Sequence, residues 1–320
     1  MVSPSVVALV GPTASGKSSI ALAVAEAARP SGRVELLSVD SMAVYRGMDI
    51  GTAKPSPEVQ ARVAYHLIDL VDPDQEFTVQ EFQAEARSVL YGVAGRGHGA
   101  LLVGGTGLYL RSVIDNLEFP GRFPVEVKRL QAEVDAAGPP GSPGEQVALR
   151  QLHHRLAIAD PVAAGRIGSS NRRRLVRALE VTEGSGRPFS SFGPGLEAYP
   201  PTSVSLVGVR PDPEDTDRRI AERVYAMMAA GFLDEVRRLA DAPGGLSPTA
   251  RQALGYRELL GHLEDGRSLD QAVDETIRRT RTFARRQWAW FRRDPRIVWV
   301  APDEDPAEQV LGRFDGPVRD

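Results

Sequence analysis

The chain has 320 residues, 42% of them apolar and 25% charged, with no cysteine and a formal net charge of −3. That length is a soft prior for two domains, and that composition buries a core. It excludes a disulfide frame, a thiolate zinc site and a cysteine nucleophile. Met1-Val2-Ser3-Pro4 lacks a basic leader, and no apolar run approaches the roughly 18 residues of a membrane span, so a cytoplasmic protein with no membrane partner is expected. The basic residues are nearly all arginine and several are clustered, which points to local anion binding rather than a basic protein.

The first hundred residues alternate short β-branched runs with longer helical patterns, as a parallel sheet with crossover helices does. Strands are predicted at 6–10, 34–39, 66–70 and 101–103, and helices at 17–28 and 77–95. After residue 115 the texture turns helical, broken by Gly138-Pro139-Pro140-Gly141-Ser142-Pro143-Gly144, which neither a helix nor a central strand can cross. The Gly/Pro/Ser-rich stretch 184–202 closes this section, and 203–209 alternates back into a strand. The reading is a discontinuous α/β core over 1–115 and 203–305 with a helical insertion over 116–202. Two or three helices are expected over 214–293, then a last strand at 297–300. The acidic tail 306–320 is expected to be loosely ordered.

Gly11-Pro12-Thr13-Ala14-Ser15-Gly16-Lys17-Ser18 fits G-x-x-x-x-G-K-[ST] in full, directly after a predicted strand and before a predicted helix. Its glycines let backbone N–H groups turn onto phosphate oxygens, the helix N-terminus adds partial positive charge, Lys17 neutralises, and Ser18 is suited to ligate Mg²⁺. The fold class expected is therefore α/β, a P-loop NTPase-like parallel sheet flanked by helices. Such a loop serves hydrolases, kinases and other transferases alike. Asp40 closes the second predicted strand and belongs at the carboxyl edge of the sheet, where it is open to three roles: metal ligand, general base or helix cap. Gly104-Gly105-Thr106-Gly107 ends another strand, with room for close backbone approach and a hydroxyl at Thr106.

Beyond the phosphate loop, Ser38-Val39-Asp40-Ser41 and Gly47-Met48-Asp49-Ile50-Gly51-Thr52-Ala53-Lys54-Pro55 carry a more specific pattern. So do His66-Leu67-Ile68-Asp69, Leu102-Val103-Gly104-Gly105-Thr106-Gly107-Leu108-Tyr109, Arg174-Leu175-Val176-Arg177-Ala178-Leu179-Glu180 and Gln252-Ala253-Leu254-Gly255-Tyr256-Arg257. In this order they resemble the bacterial tRNA dimethylallyltransferase family. The resemblance implies transfer of a dimethylallyl group from dimethylallyl diphosphate to N6 of the adenosine 3′-adjacent to the anticodon, with Mg²⁺ and release of diphosphate. The loop 11–18 would then hold an isoprenoid diphosphate rather than a nucleotide. Asp40 would act as general base on the adenine amino group, Thr106 would contact that group, and Arg219 would help to hold the diphosphate. Ser41, Met42 and Ala43, with Gln252, Gly255, Tyr256 and Arg257, would border the extracted base. Lys128, Arg173, Arg174 and Arg177 of the insertion would hold the tRNA anticodon stem-loop, and a monomer is expected. Ser18 stands where many relatives have threonine and keeps the hydroxyl; Gly107 stands where some have a larger residue.

Three features are weighed on residue chemistry alone. Projected at about 100° per residue, Ile277, Phe283, Ala284, Trp290 and Phe291 share one arc of the late helix, while Arg278, Arg279, Arg281, Arg285, Arg286, Arg292 and Arg293 occupy most of the opposite side. That face suits either phosphates or solvent with acidic partners. His66 reads as a structural histidine rather than a catalytic acid, and Met227-Met228 as helix core. The competing functions are a small-molecule kinase with Asp40 as base on an alcohol, an RNA-binding NTPase, and an RNA-binding module with an inactive nucleotide site.

Overall fold

The computed structural model describes residues 5–28, 33–210, 212–300 and 305–315. In chain order the first part runs β1 (Val6–Val10), α1 (Lys17–Ala27), β2 (Val34–Val39), α2 (Pro57–Arg62), β3 (Tyr65–His66), α3 (Val79–Gly95), β4 (Gly99–Gly104) and α4 (Gly107–Ile114). Four helices follow: α5 (Pro124–Ala136), α6 (Pro143–Ala159), α7 (Pro161–Arg166) and α8 (Arg172–Ser185). The chain then adds β5 (Ser205–Val209), α9 (Pro213–Ala229), α10 (Phe232–Ala240), α11 (Tyr256–Asp265), α12 (Leu269–Phe291), β6 (Ile297–Val300) and α13 (Pro306–Asp315). It divides into two compact units, 1–116 with 200–320, and 117–199.

The first unit is built on a six-stranded sheet of order β3-β2-β4-β1-β5-β6, parallel at every pairing. Its strands are continuous apolar runs because both faces are covered. Ala8, Val10, Leu37, Val39, Leu102 and Leu206 point to one core, and Val7, Leu9, Leu36, Leu101 and Val207 to the other, the two-residue alternation of a strand split between two buried faces. The chain leaves β1 for β2, on the far side of β4, while β5 lies on the other flank of β1. That reversal of direction opens a crevice at the carboxyl ends of the strands, where open α/β sheets bind ligands.

The second unit closes its own core with Leu130, Val134, Leu149, Leu152, Leu156, Leu175 and Leu179, spaced three and four apart within each helix as one buried stripe requires. Its Gly/Pro-rich segment separates α5 from α6, and Ser142 caps α6 by accepting the Glu145 N–H.

Three expectations need correction. The strand at 66–70 shrinks to Tyr65–His66, because Leu67 and Asp69 adopt positive φ angles of 64° and 54°, which no strand tolerates. The tail is not loose over 306–315: it forms α13, whose Val310 is fully buried in the β1 face of the core. An apolar stripe at helical spacing, Val310 with Ala307, Leu311 and Phe314, outweighs the acidic composition. Residues 316–320 lie outside the described set. Four helices, not two or three, fill 213–291.

At the opposite end of β2 from Asp40, the buried Glu35 carboxylate meets His66 Nε2 at 2.5 Å, His98 Nδ1 at 2.6 Å and Arg96 through two bonds of 2.8 Å. His66 is thus structural. Burial pushes the Glu35 carboxyl up, but the hydrogen bonds from Arg96, His98 and His66 outweigh it and bring it down from 4.5 to about 2. Its contribution to stability is therefore complete above pH 4.5 and is lost as pH falls toward 2. Urea unfolding should show that acid loss, and Glu35→Gln should lower stability at pH 7 by about 1–3 kcal/mol; an unchanged midpoint would show that the cluster holds nothing.

Candidate active site

The sheet register gathers the site. Gly104 of β4 pairs with Val10 of β1 on one side and Val39 of β2 on the other, so the residues that follow each strand, Gly11, Asp40 and Gly105, emerge side by side. A Cβ on Gly104 would collide with the Val39 carbonyl, which is why the strand must end in glycine there.

The phosphate loop turns through left-handed backbone at Ala14 (φ 62°) and Gly16 (φ 89°), an arrangement that points successive N–H groups to one side. Gly16 leads into α1, which has no side-chain cap and no acidic residue in its first turn. Its first amide donors are left for an anion, and the helix dipole favours one. Lys17 is buried, and its ammonium donates to the Pro12 carbonyl at 2.5 Å and to Ser15 Oγ at 3.4 Å. The exposed hydroxyl of Ser18 stands one residue further on.

Two arginines of α9 complete the cradle. Arg219 lies over Gly16, steered by Asp215 at 2.7 Å. Arg223, one helical turn later on the same face, is half-buried and near enough to Lys17 to depress it and to Asp40 to feel its charge. Burial first and Arg223 second pull the Lys17 ammonium from 10.5 down to about 7, against the opposing pull of Asp40. Arg223 was absent from the sequence reading; its spacing from Arg219 was the available signal.

Asp40 Oδ1 accepts the N–H groups of Met42 at 2.8 Å and Ala43 at 3.4 Å. One carboxylate oxygen thus folds the turn, while Oδ2 has no protein partner among the described residues. Beside it, Thr106 Oγ1 accepts the Ser41 N–H at 3.3 Å. Asp40 and Thr106 are therefore joined through the 40–43 turn, next to the cradle. This geometry combines a cationic phosphate loop with a carboxylate and a hydroxyl beside it.

The remaining expected residues divide by exposure. Ser41 and Met42 are half-buried, and Gln252 and Arg257 are exposed. Ala43 is buried with its N–H on Asp40, so it shapes the turn rather than lining a surface. Gly255 and Tyr256 are also buried. Tyr256 is fully enclosed beside Phe232, and its hydroxyl donates to Glu235 at 2.5 Å. That carboxylate also accepts the N–H groups of Asp49, Ile50 and Gly51. Tyr256 thus ties 252–257 to the 47–55 segment from a buried position.

In the insertion, Lys128, Arg173 and Arg174 are exposed, but Arg177 is engaged by Glu180 and the carbonyls of Pro120 and Gly121, which makes it a clamp on the 120–123 segment. On α12, Ile277, Ala284 and Phe291 are buried as projected, whereas Phe283 is exposed. Arg278 and Arg279 pair with Glu275, and Arg279 also with Glu258. Arg281 and Arg285 share Asp217. Carboxylates thus pair with these four, while Arg286 on the same side is exposed.

A diphosphate entering the cradle reverses the forces that hold Lys17 near neutrality. Calorimetry at pH 8 in buffers of different ionisation enthalpy should show that inorganic diphosphate binding takes up more protons, by up to one, in the native protein than in Lys17→Arg, whose guanidinium stays charged. Equal proton counts would contradict the depressed ammonium.

Comparison with known proteins places this geometry. A family model described as IPP transferase matches residues 43–294. A tRNA dimethylallyltransferase of Nocardioides sp. is 44% identical over 299 residues, 93% of this chain and 92% of that protein. One from Desulforudis audaxviator is 42% identical over 320 residues, covering 98% and 99%. The crystal structure of the full-length tRNA isopentenylpyrophosphate transferase from Bacillus halodurans superposes with a TM-score of 0.66 at 34% identity, covering 98% of this chain and 97% of that one. A eukaryotic dimethylallyltransferase captured acting on tRNA shares the fold, with a TM-score of 0.74 at 21% identity over 97% of this chain and 78% of that one. A sheet that carries the phosphate loop, Asp40 and Thr106 on neighbouring strand ends, in a chain matched nearly end to end by these relatives, belongs to the IPP transferase family.

Proposed function

We propose that this enzyme transfers a dimethylallyl group from dimethylallyl diphosphate to N6 of the adenosine 3′-adjacent to the anticodon of tRNA, leaving diphosphate. The observation that carries this reading is the Asp40 carboxylate, with Oδ2 unengaged, beside Thr106 on the rim of the 11–18 cradle. The relatives' activity supports it.

In this reading the allylic carbon–oxygen bond breaks while the bond from N6 to that carbon forms. Positive charge grows on the carbon and negative charge on the leaving diphosphate. Lys17, Arg219, Arg223 and the free amides at the start of α1 interact most strongly with that departing charge, so they stabilise the transition state more than the ground state. The Asp40 carboxylate takes the N6 proton as the new bond forms, a step that contributes about 10²–10⁴-fold, and Thr106 orients the amino group. Mg²⁺ fits the arrangement, because Ser18 is exposed next to Lys17 in the first turn of α1 and offers a hydroxyl there. Such an ion would be held by Ser18 together with diphosphate oxygens, as Mg²⁺ at phosphate sites commonly is; when bound it supplies further charge neutralisation.

An adenine amine reaches a buried electrophile only after leaving its stack, which costs a few kcal/mol and least in a single-stranded loop. The anticodon loop meets that need. Exposed Gln252 and Arg257, and exposed Lys128, Arg173 and Arg174 in the insertion, are the polar and cationic groups available to it. No observation favours a kinase. Among the described residues no helix is long and apolar enough to cross a membrane.

Incubation with dimethylallyl diphosphate labelled in the allyl group, or with γ-labelled ATP, and an anticodon stem-loop RNA should move the allyl label alone to RNA. Asp40→Asn should reduce that transfer by about 10²-fold or more while RNA affinity stays near native; transfer at the native rate would remove Asp40 from the base role. Replacing Arg173 and Arg174 together should weaken all RNA substrates alike and flatten the salt dependence by up to about one unit per lost phosphate contact. An unaltered slope would assign both to solvent.

A further inference from the structure

Gln287 lies on α12, 274 positions from the phosphate loop, and its side chain is buried. Both ends of its carboxamide are in use. Oε1 accepts the Thr13 N–H at 2.8 Å, and Nε2 donates to the Gly105 carbonyl at 2.9 Å. The contact is tight enough that a Cβ on Gly105 would collide with Nε2. Nothing in the mechanism above uses this residue.

The two partners are not equivalent points of the scaffold. Thr13 sits inside the loop that cradles the donor's diphosphate, and Gly105 immediately precedes Thr106, which faces the acceptor with Asp40. A single amide therefore spans the two loops that hold opposite reactants. A carboxamide of this length suits both: one end must accept and the other donate, whereas a carboxylate accepts only and a thioether makes neither bond at useful strength. A backbone N–H and C=O left unpaired in a buried place are costly enough to draw their loops toward other partners. Transfer requires the allylic carbon within about 3–3.5 Å of N6 and in line, and a misplacement of about 1 Å can cost 10²-fold.

From this geometry we propose that Gln287 is a positioning residue that fixes the separation between the diphosphate loop and the Asp40–Thr106 rim, and so sets the approach of donor to acceptor. The proposal rests on the transferase reading.

Its test uses Gln287→Met, which preserves volume and removes both bonds, and Gln287→Glu, which can still accept from Thr13 but sets a carboxylate against the Gly105 carbonyl. Three quantities are measured on each folded variant, well below its melting midpoint: the single-turnover transfer rate at saturating donor and stem-loop RNA, the Kd of an unreactive thiolo analogue of the donor, and the RNA Kd. The transfer rate should fall about 10–100-fold in both variants while both Kd values stay within about threefold of native. A loss confined to the analogue Kd would make Gln287 part of donor binding only, and a native rate in either variant would make it an ordinary core contact; each overturns the proposal. If the native protein moves no label to RNA, the transferase reading itself has failed, and that result is separable because it appears before any variant is compared.

Discussion

The close approach of β4 to β2 at Gly104 is the constraint from which the site follows. With Gly104 in register with both Val10 and Val39, three strands end at one level, and the loops they release have no choice but to be neighbours. Any side chain at Gly104 would push β4 off the Val39 carbonyl and separate Asp40 from the residues around Thr106. The chemistry thus depends on a backbone contact in which no functional group takes part. Its rigidity comes from the two buried faces of the sheet, where side chains packed at crystal-like density resist a shift of even a few tenths of an ångström.

Charge is arranged around that frame in a way that makes sense only with an anion present. Lys17, Arg219 and Arg223 converge on the loop, and Asp40 and Asp215 are the acidic groups that the structure sets against them. The Lys17 ammonium donates to its own loop, to Pro12 and Ser15, and burial together with Arg223 lowers its pKa to about 7. Such strain in charge is tolerable where binding relieves it: a diphosphate brings several negative oxygens to the place where cations repel one another. Catalysis benefits from the same preorganisation, since the donors are already aimed when the leaving group gains charge.

Much of the sheet and half of the site were legible in the sequence, for reasons that are local. β1, β2 and β6 carry apolar runs bounded by turn residues, and the loop 11–18 has a pattern whose meaning is set by backbone geometry alone. Asp40 and Thr106 could be placed because strand ends are easy to find when strands are buried on both sides. Positive φ at Leu67 and Asp69 could not be seen, because neither residue advertises a left-handed backbone; tertiary contacts such as Lys54 bonded to Asp69 at 2.5 Å impose it. The helix α13 was hidden by its charge, although its stripe of Ala307, Val310, Leu311 and Phe314 was readable. A motif match such as that at Tyr256 says that a residue matters but not how, and here its hydroxyl serves Glu235. Gln287 carried no signal at all, because its two partners are brought together only by the completed fold.

The arginines show why sequence clusters overstate binding surfaces. Arg278, Arg279, Arg281 and Arg285 look from the sequence like one cationic stripe, yet Glu258, Glu275 and Asp217, drawn from three helices, take them up. The exposed pairs at Glu275 and Asp217 are worth about 0–1 kcal/mol each, so they add little to stability; three carboxylates against four guanidinia, with Arg286 exposed on the same side, leave the stripe partly compensated and still cationic. Arg177 in the insertion is similarly spent on Glu180 and two backbone carbonyls. Arg173 and Arg174 differ in having no ion pair among the described residues, exposed at the first turn of α8, whose cap is the neutral Asn171 rather than an aspartate. Two cations at a helix N-terminus oppose the helix dipole, a local cost with no return inside the protein that a polyanion laid against that end would offset.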